Sequence, residues 1–348
     1  MKTMKAVVYH GPGDVRVEQV PLPTCGDEEL LIRVEACGVS GTELHAYRSP
    51  SPRITPPMTL GHEFVGVVEQ AGEAVREFTP GQRLVMATTI ACGQCVYCRK
   101  GWSNHCLERA PMGIAYPGAM AEFVRIPARA LAGGHLVRVP SGLLPEHAAL
   151  TEPVSCAVNA IEKCDIGLGD TVLVLGAGPM GLMNVCVARC AGASRIILSE
   201  VSPKRLVLAA QFDCDRLINP AIEDLLRSVK EATGGLGADV AVVAAPDPKA
   251  QELALDLVRK RGTVCLFASL PLNKSVLAVD SRTIHDNELR IVGSSDSSPM
   301  HVSRAVDLLT TGKILAERLV THAFRLDQVF DAFDVMERGE ALRVILKP

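Results

Sequence analysis

Apolar positions follow two styles along the chain, and the change near residue 171 divides it. Before that point they gather in short runs at residues 5–9, 30–34, 65–69, 83–86 and 122–126. Turn formers such as Gly11-Pro12-Gly13 and Pro21-Leu22-Pro23 separate the runs. Short strands punctuated by Gly and Pro predict a compact β-rich domain, with one helix-like stretch at 146–150. From residue 171 the runs become longer and continuous. Residues 171–175, 195–199, 238–245, 263–268 and 289–292 read as strands buried on both faces, the signature of a parallel sheet. Helical patterns through residue 188 and over 250–259 lie between strands, and 302–310 and 326–337 precede a closing strand at 343–346. The expectation is an α/β chain: a doubly wound parallel sheet of Rossmann type beside a β-rich domain. The expected boundaries are 1–154, 155–293 and a returning segment, 294–348.

The strand at 171–175 runs directly into Gly176-Ala-Gly178-Pro179-Met180-Gly181, then a helix, then a second strand ending at Glu200. This is a dinucleotide-binding fingerprint in its strand–turn–helix setting, with an acid roughly twenty residues on. Glycines let the backbone approach a pyrophosphate, while the helix N-terminus supplies N–H donors. Glu200 would accept hydrogen bonds from the ribose hydroxyls and repel a 2′-phosphate, favouring NAD over NADP. Lys204 and Arg205 lie close enough to blur that preference. The fingerprint also accounts for the uncharged run 171–188, which is long enough to raise the question of a membrane span.

Composition narrows the classes further. A length of 348 residues suggests about two domains, and 48% hydrophobic with 22% charged residues is an ordinary globular balance. A net charge of -3 gives no basic footprint for nucleic acid or anionic lipid. The opening Met1-Lys2-Thr3-Met4-Lys5 has no signal-peptide core, so twelve cysteines imply reduced thiols, metal ligation and a cytoplasmic setting.

Cys92, Cys95, Cys98 and Cys106 are spaced to close a tetrahedral thiolate shell around Zn2+, in a lobe over about residues 90–108. With no open position, such a site is structural. Gly61-His62-Glu63 sets an imidazole beside a carboxylate in an apolar run; by itself this reads either as a ligand pair or as an exposed pair at a strand edge. Residues 37–45 read as a loop in which Thr42 and His45 could pass a proton to solvent, or serve as ordinary turn residues. Glu152, before Pro153, supplies a further carboxylate.

Taken in order, these parts resemble the zinc-dependent medium-chain dehydrogenases over essentially the whole chain. Gly61-His62-Glu63 with Gly66 and Gly72 is similar to the family's Gly-His-Glu signature. The four thiols have the spacing of its structural zinc lobe, and Glu152-Pro153 resembles the Glu-Pro of the polyol and threonine branch. The resemblance implies a GroES-like catalytic domain, a catalytic zinc near His62, Glu63 and Glu152, and a Thr42–His45 proton relay. It also implies a homodimer or homotetramer acting on a small polar alcohol. One position departs: five residues before His45, where the family carries a ligating cysteine, stands Ser40. Three outcomes are open. Zinc binds through His62, Glu63 and Glu152 with water and Ser40; Cys37 substitutes; or the site is poor in metal. The expected activity is NAD-dependent oxidation of a secondary alcohol on a polyol or sugar. Threonine oxidation and cofactor binding without turnover are the alternatives.

Overall fold

The computed structural model describes residues 2–348, which form two units. One runs to Ser155 and takes in Asp296–Gly312 and Ala316–Pro348; the other comprises Cys156–Ser295 and Lys313–Leu315.

The first unit is built on a seven-stranded sheet. Its main path runs Leu136–Arg138, Arg83–Met86, Glu63–Ala71, Leu30–Val39, Arg343–Lys347, Val320–Arg325, with Phe123–Ile126 also paired to Leu30–Val39. Leu30, Ile32 and Val34 alternate into one core with Phe64 and Val68, as the two-residue strand period requires. Leu326, Val329 and Phe333 of the returning segment join the same core. The return strand is antiparallel to Leu30–Val39, with Ile345 opposite Gly38; on the other side Gly38 lies opposite Glu63. Gly38 therefore occupies the middle of three strands, and the candidate site grows from that position.

Residues 37–45 are not one loop. Cys37 to Val39 end the central strand, and a helix follows at Gly41–Arg48. Ser40 is its N-cap, and the Glu43 side chain returns to the Ser40 N–H, a reciprocal capping box that starts the helix where turn composition masked it. The helix expected over 250–259 also stops early, at Leu257. Val258 and Arg259 open the Val258–Leu266 strand, because buried Val258 pairs with Ala238.

In the second unit six strands pair in parallel in the order Arg216–Ile218, Arg195–Ser199, Thr171–Leu175, Ala238–Val243, Val258–Leu266, Arg290–Gly293. Strand order reverses between Thr171–Leu175 and Ala238–Val243, which opens a crevice at their carboxyl ends. The Pro179–Ala191 helix starts there with Gly178 as N-cap. Strand and helix together absorb the uncharged run. Among the described residues no helix is long and apolar enough to cross a membrane.

A buried histidine ties down the base of the cysteine lobe. His135 Nδ1 lies 3.0 Å from the Ala87 carbonyl, and Nε2 accepts from the Ala91 N–H at 3.2 Å, so the ring is neutral with its proton on Nδ1. Burial holds its pKa below the ordinary 6.5. Protons thus favour the unfolded chain: the stability His135 contributes is present in full above about pH 6.5 and is lost as pH falls towards the depressed folded value. His135→Leu should cost about 1–3 kcal/mol at neutral pH by orphaning both backbone groups. It should also flatten the acid side of the stability profile, which urea unfolding at several pH values would measure.

Candidate active site

Four segments of the first unit converge on His62. The Glu63–Ala71 strand begins just after it, the Gly41–Arg48 helix brings Glu43, the first turn of Thr151–Cys164 brings Glu152, and the return strand brings Arg343. Ligand atoms of His62, Glu63 and Glu152 lie within 4.8 Å of one another. One imidazole and two carboxylates fit a divalent cation, and the structure brings together these three sequence-predicted residues.

Glu43 orients the imidazole. Its Oε1 lies 2.7 Å from His62 Nδ1, leaving Nε2 to face a ligand, and its Oε2 accepts from the Ser40 hydroxyl and backbone N–H. Burial raises the cost of ionising Glu43, yet the His62 ring and the Ser40 donors outweigh it and hold the carboxyl below its usual range. Burial likewise opposes charging His62, but Glu43, followed by Glu152, lifts its pKa to about 9. Sequence reasoning gave Glu43 no role; the signal was the Ser40-x-x-Glu43 capping pattern.

Arg343 was also missed. It forms an ion pair with Glu63, both groups almost fully buried. The two reach each other over Gly38, where any Cβ would run into the Glu63 carboxylate and crowd the Arg343 guanidinium. The only sequence signal was a charge opening an otherwise apolar closing strand.

Ser40 and Cys37 behave differently from a ligating cysteine. Ser40 Oγ is committed to helix capping, accepting from the Thr42 N–H at 2.9 Å while donating to Glu43. Cys37 lies in the central strand, its Sγ 3.6 Å from its neighbour's carbonyl at Gly38 and packed against Gly61. Burial, then the Glu43 charge, pushes its thiol well above the ordinary range, so it is neutral. Cys37 stands outside the group of His62, Glu63 and Glu152. Thr42 is half-buried and His45 exposed, three residues apart on one helix and therefore on one side of it. Glu152 is fixed through its backbone: Ser155 Oγ donates to its carbonyl at 2.6 Å and is bonded to Ser297 Oγ at 2.7 Å.

In the lobe, the Sγ atoms of Cys92, Cys95, Cys98 and Cys106 also lie within 4.8 Å of one another. Backbone N–H groups point at the sulfurs, from Cys92 to Cys106 at 3.1 Å and from Cys95 to Cys92 at 3.4 Å. Donors of this kind pull the Cys95 thiol down to about 6. Val96, Trp102 and Leu107 are exposed, so the lobe has little apolar core to hold it.

The second unit carries the predicted cofactor residues. A cavity of about 580 Å³ is lined by Gly176, Gly178, Pro179, Met180, Gly181 and Glu200, with Arg205 at its edge. Gly176 has φ +108, and a Cβ on Gly181 would strike the Gly176 carbonyl, so both glycines are required by the turn. Glu200 is buried, accepting from Ala177 N–H at 2.8 Å and Ser202 N–H at 2.9 Å, with Arg205 at 3.9 Å. Each oxygen keeps a further lone pair for a ligand.

Residues 26–140 match the family described as alcohol dehydrogenase GroES-like domain, and residues 179–311 match zinc-binding dehydrogenase. A sorbitol dehydrogenase of Halalkalibacterium halodurans is 36% identical over 99% of this chain and 99% of its own. An L-threonine 3-dehydrogenase of Pyrococcus horikoshii is 33% identical over 98% of each. Among solved structures, a zinc-binding dehydrogenase from Sinorhizobium meliloti bound to NADP is 32% identical, covers 100% of both chains and has a TM-score of 0.93.

Arg343→Leu should destabilise the protein by about 3–5 kcal/mol, because Glu63 is left buried and unpaired. Adding Glu63→Leu should recover most of that loss. Urea denaturation of the two variants beside the parent checks both; equal losses would refute the pairing.

Proposed function

Because the chain belongs to the zinc-dependent medium-chain dehydrogenase family, we propose that it reversibly oxidises a secondary alcohol on a polyol, sugar or related hydroxylated molecule, with NAD as hydride acceptor. The observation that carries this reading is the convergence of His62, Glu63 and Glu152 around a point that Glu43 orients. A divalent metal held there would supply Lewis-acid polarisation of the substrate oxygen.

The chain's own residues do the rest. Glu43 fixes the imidazole tautomer, and Arg343 gives Glu63 its counter-charge inside the unit. The substrate hydroxyl proton leaves by Thr42 and then His45, which stands in solvent. A bound nicotinamide would supply the hydride acceptor. Carboxylates around the reacting oxygen suit a hydroxyl-rich substrate better than an alkyl alcohol. The first unit is thus the catalytic domain. In the second, Gly176, Gly178 and Gly181 admit the pyrophosphate, Pro179 and Met180 start the helix that faces it, and Glu200 receives the ribose hydroxyls. Arg205 borders that ribose pocket. The four thiols of the lobe hold a structural zinc. Association into a dimer or tetramer would use the edge strand Arg290–Gly293, where Ile291 is 42% exposed.

Purified protein with NAD and a panel of polyols, sugars, cyclitols and threonine should form NADH fastest with a polyol or sugar. Threonine as the fastest substrate would favour the reading that the Pyrococcus relative suggests. NAD binding with no turnover across the panel would sink the catalytic reading. Glu200→Ala should raise the Kd for NAD by about 10–100-fold, the scale of a charged hydrogen bond, and change NADP binding less. Titration with both nucleotides measures this, and equal losses would remove the ribose role.

A further inference from the structure

The three groups that converge at His62 are one imidazole and two carboxylates, and the one thiol within 4.8 Å of any of them is that of Cys156, one helical turn beyond Glu152. Ser40 caps the adjoining helix, its hydroxyl donating to Glu43 and accepting from the Thr42 N–H. The nearest strand cysteine, Cys37, points at Gly61 and its own strand. Glu63 shares its charge with Arg343, which lowers the net negative charge available to a cation. Thiolate is the ligand that most favours zinc over harder ions; imidazole, carboxylate and water serve manganese-class cations as well. Zinc still ranks above Mn2+ at any nitrogen–oxygen site, but without sulfur the margin between them narrows.

We propose that this chain's second metal centre is an oxygen-rich site that holds hard, manganese-class divalent cations exchangeably, while the four-cysteine lobe alone retains zinc. The inference rests on the dehydrogenase reading for the location of the centre, and goes beyond it in the identity and lability of the ion.

Full-length protein dialysed against a mild chelator should keep about one zinc per chain rather than about two. Titration of that protein with Mn2+ alone, followed by loss of the free-ion EPR signal, should reveal a site present without substrate or nucleotide. Co2+ loaded into the same centre should give a spectrum without thiolate-to-cobalt charge transfer, a readout that needs no variant. Ser40→Cys should carry a second zinc through dialysis and shift Zn2+/Mn2+ competition towards zinc by at least about tenfold, the scale at which even outer-shell changes act. Cys156→Ala, which removes the thiol four residues along the helix from Glu152, should leave Mn2+ binding unchanged. Retention of about two zinc ions by the parent, absence of Mn2+ binding, a charge-transfer band from the second site, or dependence on Cys156 would each overturn the proposal. None of these measurements involves turnover. A protein that binds Mn2+ as expected but reduces no NAD keeps this inference and loses the catalytic reading; NADH formation with two tightly held zinc ions does the reverse.

Discussion

The ion pair between Glu63 and Arg343 is the constraint on which the first unit depends. Two charges taken out of water cost several kcal/mol each, and only close mutual contact offsets that. Neither can be exposed without moving a strand of the main sheet, and neither can be removed singly without stranding the other. The pair therefore fixes the register of three strands at once. It also dictates residue 38, because the charged side chains meet in the space that any Cβ there would take.

Around that pair the site is layered. Glu43 holds Ser40 with one oxygen and His62 with the other, so a single carboxylate both starts a helix and aims an imidazole. This double duty explains why a serine can stand at position 40 without loss of local order: the hydroxyl is a better N-cap than a thiol. In the cofactor unit, by contrast, the inner strands Thr171–Leu175 and Ala238–Val243 are almost wholly buried, and Gly181 lets backbone approach backbone.

This contrast explains how much could be read from the chain. The parallel strands, the Gly176–Gly181 turn and the four cysteines are local patterns, and each is complete within a few dozen residues. The His62–Glu63 pair was visible as chemistry out of place in an apolar run. Arg343 was illegible because its partner lies most of the chain away, and sequence spacing carries no information about that pairing. The helix at Gly41–Arg48 was hidden by its own glycine- and serine-rich start, although the capping box was written in Ser40 and Glu43. At Val258 the helical pattern ran on past Leu257, and sheet pairing overrode it.

The position of the return strand has a consequence for biosynthesis. A chain emerging from the ribosome presents Gly38 and Glu63 early, then the whole of Cys156–Ser295, and Arg343 only afterwards. All but three residues of the second unit lie in one continuous stretch, so most of its contacts can form as that stretch appears. The central sheet must wait, with a carboxylate seated between strands and lacking its counter-charge. Its closure is a late, long-range event of the kind that slows folding. Until then the second unit can be largely formed while the first lacks its last strand, whose arrival completes both the sheet and the charge balance.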